Sequence, residues 1–198
     1  VGFKQALGSI SAITISGTYR ELKDMIQVQK ISYAYPVEYR TFGNSDFGTV
    51  KSLQVTYEMR RVRNVKLDAN YTLQFADGTG SDITSGLNLV GSGQPNLRTL
   101  IPFSYDQRHA LTASIDYRFG EGRSYNGPVV GKNSSAILAN AGLNLIFRAG
   151  SGTPYTKQST PTPDALFGVQ TNSSLLGSVN GSRLPWSIKL DAKIDKDF

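Results

Sequence analysis

The sequence contains one histidine, His109, set in Asp106-Gln107-Arg108-His109. An imidazole flanked by charged residues could act as a ligand contact or a pH switch. It could equally belong to a local hydrogen-bond cluster that fixes a loop onto the strand that follows, and the boundary position favours that role. Asp106 and Arg108 are spaced to pair, although an exposed pair contributes little. Asp77-Gly78-Thr79-Gly80-Ser81-Asp82 offers two carboxylates and permissive glycines, as a short calcium loop would. It lacks the bidentate glutamate of an EF-hand, so a flexible surface loop is the expectation. Gly150-Ser151-Gly152-Thr153 and Gly91-Ser92-Gly93-Gln94 are glycine-rich, but neither continues into Gly-Lys-Ser/Thr and no helix follows to hold a phosphate. Asn133-Ser134-Ser135, Asn172-Ser173-Ser174 and Asn180-Gly181-Ser182 have the spacing of glycosylation acceptors. In loops this rich in serine and asparagine they are expected to be chance products.

Composition removes further chemistry. The 198 residues include no cysteine, so there is no disulfide, thiolate metal site or cysteine nucleophile. A single histidine excludes a multi-histidine zinc site. No nucleophile, base and orienting group share a recognisable motif, so no enzymatic activity, catalytic residue, metal or cofactor is expected. The net charge is +6, from 21 basic and 15 acidic residues. These charges form no block: Lys66, Arg118, Lys189 and Lys193 alternate with Asp68, Asp116, Asp191 and Asp195, which argues against a nucleic-acid partner. No run of about 18 apolar residues is present, so no transmembrane helix is expected. The chain begins in mid-pattern at Val1-Gly2-Phe3-Lys4, as a mature or excised portion would.

The elements that must position these residues have a period of two. Leu53, Val55, Tyr57 and Met59 alternate with polar residues. So do Val65 to Phe75, Leu111 to Phe119, Ala139 to Phe147 (Ile146 excepted), Trp186 to Ile194, and Ile13 to Tyr19. Each reads as a strand with one apolar and one polar face. Met25 to Tyr35 is a weaker strand whose phase slips near Lys30, and Val1 to Leu7 is a partial one. The tally is about eight strands, most near ten residues. Glu21 to Asp24 has helix-forming residues but is too short for a helix and reads as a turn.

Connections alternate in length. Glu21–Asp24 and Arg61–Asn64 are short; Pro36–Phe47, Asp77–Gln107 and Ala149–Arg183 are long; Gly120–Ser135 is intermediate. Short turns at one end and long loops at the other are the pattern of an outer-membrane barrel. Structureless loops of about 30 residues are rare in compact soluble domains. A basic side chain on the lipid face at mid-bilayer costs roughly 2–4 kcal/mol, and in the last strand Lys189, Asp191, Lys193 and Asp195 all keep to one parity. Tyr19, Tyr57, Tyr71, Phe75, Tyr117, Phe119, Phe147 and Trp186 lie on apolar parities, as interface girdles do. Arg60, Arg61 and Arg63 belong to a turn at the periplasmic edge. A soluble β-sandwich that binds a carbohydrate or protein would alternate in the same way. A small complete barrel, an adhesin or anchor, would close by pairing Val1–Leu7 with the last strand.

Ordered motifs are more specific. Asn44, Asp46, Phe47 and Gly48 lead into Lys51 and Leu53, followed by the Arg-rich turn and Ala69-Asn70-Tyr71-Thr72. Tyr105 to His109 opens an inward strand that Asp116 to Gly120 closes. Gly152-Thr153-Pro154-Tyr155-Thr156 follows an outward strand, and Arg183-Leu184-Pro185 precedes the one ending Lys196-Asp197-Phe198. This order resembles the barrel of TonB-dependent outer-membrane receptors, especially the Bacteroidetes type (SusC- or Oar-like), over nearly the whole chain.

The resemblance implies an all-β, antiparallel transmembrane β-barrel of 22 strands, plugged by an N-terminal domain, that imports large or scarce ligands with energy passed on by the TonB system. Residues 1–198 would be a portion of its C-terminal half, with no plug domain in this chain. Its implied partners are outer-membrane lipid and lipopolysaccharide and, through the plug, the TonB system. A surface lipoprotein partner is also compatible with the family. Phe198 could be the terminal aromatic of a finished barrel, but the strand before it matches an internal one. The residues that touch a ligand are unknown from the sequence.

Overall fold

The alternating segments pair in register into one antiparallel sheet. The computed structural model describes residues 1–31, 36–37, 39–85, 99–130, 136–159 and 175–197. Its strands are β1 (Gly2–Leu7), β2 (Ser11–Ile31), β3 (Tyr39–Val62), β4 (Val65–Gly78), β5 (Ile101–Pro102), β6 (His109–Arg118), β7 (Ala141–Gly150), β8 (Pro154–Tyr155), β9 (Ser182–Arg183) and β10 (Ser187–Lys196). The main sheet has eight strands in the order β1-β2-β3-β4-β6-β7-β10, with β5 extending the edge of β4. β8 and β9 form a separate two-stranded ribbon. The all-β antiparallel expectation and the tally of eight hold, but the membership differs. Two expected strands are one, β2, and the eighth member is the short β5.

Register carries the side-chain pattern across the sheet. Phe3, Ile15, Val55, Tyr71, Leu111, Ala149 and Ile188 stand side by side over seven strands. The next row on the same face is Gln5, Ile13, Tyr57, Ala69, Ala113, Phe147 and Leu190. Between them on the opposite face run Lys4, Thr14, Thr56, Asn70, Thr112, Arg148 and Lys189. Side chains alternate across a strand, so one face is oily and the other wet. A one-residue slip at any pairing would exchange them.

The oily face has no cover. Ile188, Leu190 and Ile194 are 68%, 65% and 81% exposed, and Leu53, Phe75 and Ile115 on inner strands are exposed too. Among the described residues the buried hydrophobic ones are Ala76, Ile101 and Phe103, all near the long-loop end. A sandwich buries its apolar parity between two sheets, and among the described residues no second sheet covers this one. The apolar band from Val65 to Phe75 spans roughly 33 Å of strand and stands about 25 Å tall at a tilt of roughly 40°.

The sheet is open. β1 pairs with β2 and β10 with β7, and β1 and β10 are the two ends of the strand order. The closure expected of a small complete barrel is therefore not made among the described residues. Connections respect the two ends: β1–β2 and β3–β4 turn tightly at one end, and the segments after β2, β4 and β7 leave from the other.

Two expected connections are strand. Glu21–Asp24 lies inside β2, where the register with β3 shifts between Leu22 and Met25 and again between Met25 and Ile26. Asp24 has φ 55°, so the chain bulges there rather than turning back. The phase slip read near Lys30 is not a break in pairing, since the register runs unbroken from Ile26 with Asn44 to Ile31 with Tyr39. Most of Pro36–Phe47 likewise belongs to β3, because β2 runs alongside and pairs Met25 to Ile31 with Asp46 to Tyr39. Beyond the last β3–β4 pair, Gly48 with Gly78, this ribbon projects about 30 Å. Smaller boundary differences are that Ala139 lies in a turn before β7 and Phe119 just past β6.

Candidate functional site

Among the described residues, the hydrophobic side chains that are buried lie where the long loops meet the sheet, and this is also where polar groups converge. Gly48 and Gly78 sit opposite each other on the wet face, and the ring of Phe103 rests over both. Phe103 is 1% exposed and stacks on Tyr105 with centroids 5.2 Å apart. Its backbone N–H donates to the Ala76 carbonyl at 2.9 Å, which draws the return of the β4–β6 connection onto the sheet. Burial at this position raises the Tyr105 hydroxyl above its ordinary pKa, against a lowering by Arg20 and with a further raising by Asp106.

Asp106 is the most enclosed charge among the described residues. It is 0% exposed. Its carboxylate accepts the Ala76 N–H at 2.8 Å, Arg108 Nε at 2.9 Å and a guanidinium N–H of Arg183. Arg183 also donates to the Asp106 carbonyl at 2.7 Å. A buried carboxylate needs this many donors to offset its desolvation. The Asp106–Arg108 pair is thus not the exposed pair expected. It is half of a clamp whose other half, Arg183, arrives 77 residues later. Nearby, Asp46 is 3% exposed and accepts the Thr79 hydroxyl at 3.0 Å, while the Phe47 N–H donates to that same oxygen at 3.1 Å. Phe103 was not singled out in the sequence, while Arg183 entered only within the Arg183-Leu184-Pro185 motif and Thr79 only within the calcium-like loop. Glycines facing each other inside strands are the one signal that marks a close approach there.

His109 begins β6 on the oily face. Its Nδ1 lies 2.7 Å from the Tyr71 hydroxyl, and its ring stacks on Trp186 at 5.6 Å. Its backbone N–H donates to Ser151 Oγ at 3.0 Å, and its carbonyl accepts the Ser151 N–H at 2.8 Å. This is the hydrogen-bond cluster expected, fastening the end of β7 to the start of β6. Tyr71, His109 and Trp186 form an aromatic row at the long-loop end, the placement of an interface girdle. Gly152 is required beside it, since a Cβ there would lie 1.8 Å from the Leu184 carbonyl oxygen.

The carboxylates of Asp77–Asp82 do not converge. Asp77 ends β4 4.0 Å from Arg108, and Asp82 turns to Thr84, accepting its N–H and hydroxyl at 2.8 Å each. Those bonds hold the Asp82 carboxyl below its ordinary pKa, the side-chain bond contributing most, against a raising by burial. No metal-holding cluster is present among the described residues. The segment is not a free surface loop either, because Thr79 and Gly80 are buried. Asn180 of the third sequon donates its side-chain amide to the Pro102 carbonyl at 2.9 Å. Gly91–Gln94 and the Asn172 sequon lie outside the described residues, as do Asn133–Ser135 and Phe198.

The wet face pairs its charges, mostly between strands and, at Lys66–Asp68, within β4. Arg118 meets Asp195 at 2.5 Å, Arg148 meets Asp191 at 2.6 Å, and Arg61 of the turn region meets Asp116. Lys4 meets Glu58 at 3.1 Å and Lys66 meets Asp68 at 2.9 Å. These pairs are part-exposed and contribute little stability individually. Their effect is to keep a charged wall near neutrality.

The fold is similar to the crystal structure of the outer membrane transporter YddB from Escherichia coli, with a TM-score of 0.55 and 10% identity. The likeness covers 98% of this chain and 25% of that one, so the chain spans about a quarter of the transporter's length. No protein-family model matches the sequence, and no curated protein is similar to it in sequence. An open antiparallel sheet with one bare apolar face, superposable along nearly its whole length on such a protein, has the fold of part of an outer-membrane transporter barrel.

Proposed function

We propose that the chain forms part of the barrel wall of an outer-membrane transporter of the TonB-dependent kind. The observation that carries this reading is the uncovered apolar face, continuous over seven strands in register. In hydrocarbon every backbone polar group must be paired within the protein, so the free edges of β1 and β10 demand further strands. The oily face then meets lipid and lipopolysaccharide, and the paired charges of the other face line a wet lumen. The loops after β2, β4 and β7 stand outside, where a ligand or a surface lipoprotein would meet them. Energy coupling belongs to a plug domain, as in the SusC- or Oar-like receptors that the sequence resembles. The chain does no bond-making chemistry.

The test is to follow the protein in the cells that make it. The reading predicts recovery in the outer-membrane fraction, heat-dependent electrophoretic mobility, and retention of the protein by the periplasmic part of TonB. A water-soluble protein that stays folded without detergent would end the membrane reading. Outer-membrane recovery without TonB retention would end the energy-coupled part alone.

A further inference from the structure

A cavity of about 240 Å³ opens between the segments that follow β4 and β7, lined by the aliphatic Ile101, Leu175 and Val179 and, among its polar groups, by Asp82, Ser104 and Gln158. We infer that it is a binding site for an alkylammonium group, such as the end of a lysine side chain or of a diamine. The walls are tied to one another before any ligand arrives. Asn180 donates to the Pro102 carbonyl at 2.9 Å and, through its backbone N–H, to Thr156 Oγ1 at 3.0 Å. The Ser104 N–H donates to Ser81 Oγ at 2.9 Å, and the Leu176 N–H to the Lys157 carbonyl at 2.8 Å. Four stretches separated in sequence are thus held as one rim, which spares a ligand the ordering cost of forming it.

The lining selects the charge. Among the described residues Asp82 is its one ionisable group and no basic side chain lines it. Asp82 makes no ion pair among the described residues; its partners are Thr84 and the Ser85 turn. A carboxylate without a counter-ion at a cavity rim repels anions and attracts a cation. Hydroxyl and amide oxygens around it can accept the remaining N–H bonds of an ammonium. The aliphatic wall suits a methylene stem and gives no aromatic platform. The volume lies below the roughly 300–1,000 Å³ of pockets for drug-sized ligands, which fits one side-chain-sized group.

The site is a claim about these loops and stands whether or not uptake is energy-coupled. The test is calorimetric titration of the full chain in detergent micelles with 1,5-diaminopentane, with glucose and acetate as comparison ligands. Saturable binding of the diamine alone is expected. Asp82→Asn keeps an oxygen for Thr84 and removes the charge, so affinity should fall at least about tenfold. Val179→Lys places a cation in the cavity and should abolish binding, with circular dichroism showing an unchanged fold. Undetectable diamine binding, equal binding of glucose, or binding unaltered in both variants would overturn the proposal.

Discussion

The ring of Phe103 lies across Gly48 and Gly78, two glycines that face each other on neighbouring strands. A Cβ on Gly48 would stand 2.3 Å from Phe103 Cζ, and one on Gly78 would stand 2.2 Å from it. The pair makes a seat that closes the sheet under the long loops. Gly78→Ala should therefore expel the ring and destabilise the loop end by about 1–3 kcal/mol. Chemical unfolding of Gly78→Ala, Phe103→Ala and the double variant checks it. The double variant should be less destabilised than the sum of the two, since the lost contact is shared.

Asp106 predicts a larger effect. Asp106→Ala leaves Arg108 and Arg183 half-buried without their carboxylate, and one-sided loss of a buried pair costs about 3–5 kcal/mol. Asp106→Asn, which keeps an acceptor, should cost less. Limited proteolysis offers a sharper readout, because the clamp joins two loops. Cleavage should rise together in the β4–β6 and β7–β10 connections, and not in one alone.

The pH response at the loop end follows from Asp82. Its folded-state pKa lies below the ordinary carboxylate value because Thr84 donates to it. The contribution of the turn is then fully present above the unfolded pKa and is lost as pH falls through the folded one. Amide resonances of Ser81 to Ser85 should hold steady at neutral pH and shift only under acid conditions. Thr84→Ala should move that change upward in pH. Asp82 is exposed, so the global stability should move little.

Much of this architecture was legible in the sequence, and the parts that were not have physical causes. The alternation from Val65 to Phe75 reports a strand because the period of side chains is a local property. Asp24 bends the chain with one left-handed residue between two in-phase runs, and in sequence a bulge and a turn look alike. The Pro36–Phe47 stretch has loop-like residues, yet pairing with β2 supplies the order its composition lacks. Asp106 stood out as a boundary residue, but its burial depends on Arg183, and no local pattern joins residues that far apart. His109 was legible for the opposite reason, since its partner Ser151 lies in a glycine-rich motif at the matching strand end.

The faces predict an asymmetry in mutational cost. Leu145 lies on the oily face between Ile115 and Ala192, and Ser114 lies on the wet face beside Asp68. Leu145→Arg should destabilise the membrane-inserted protein by roughly 2–4 kcal/mol, whereas Ser114→Arg should change little. Denaturant unfolding from lipid vesicles compares the two. Equal cost at both positions would mean that the faces do not see different solvents.

The most direct measurement uses the absence of cysteine, which makes any introduced thiol unique. Ala113 and Ser114 are neighbours on β6 whose side chains point to opposite faces. Each is replaced by cysteine, spin-labelled in the outer membrane, and probed for collision with oxygen and with a water-soluble nickel chelate. A lipid-facing wall predicts that the label at position 113 collides with oxygen and is shielded from nickel, while the label at 114 shows the reverse. Nickel access at both positions would contradict the assignment of the oily face to the membrane.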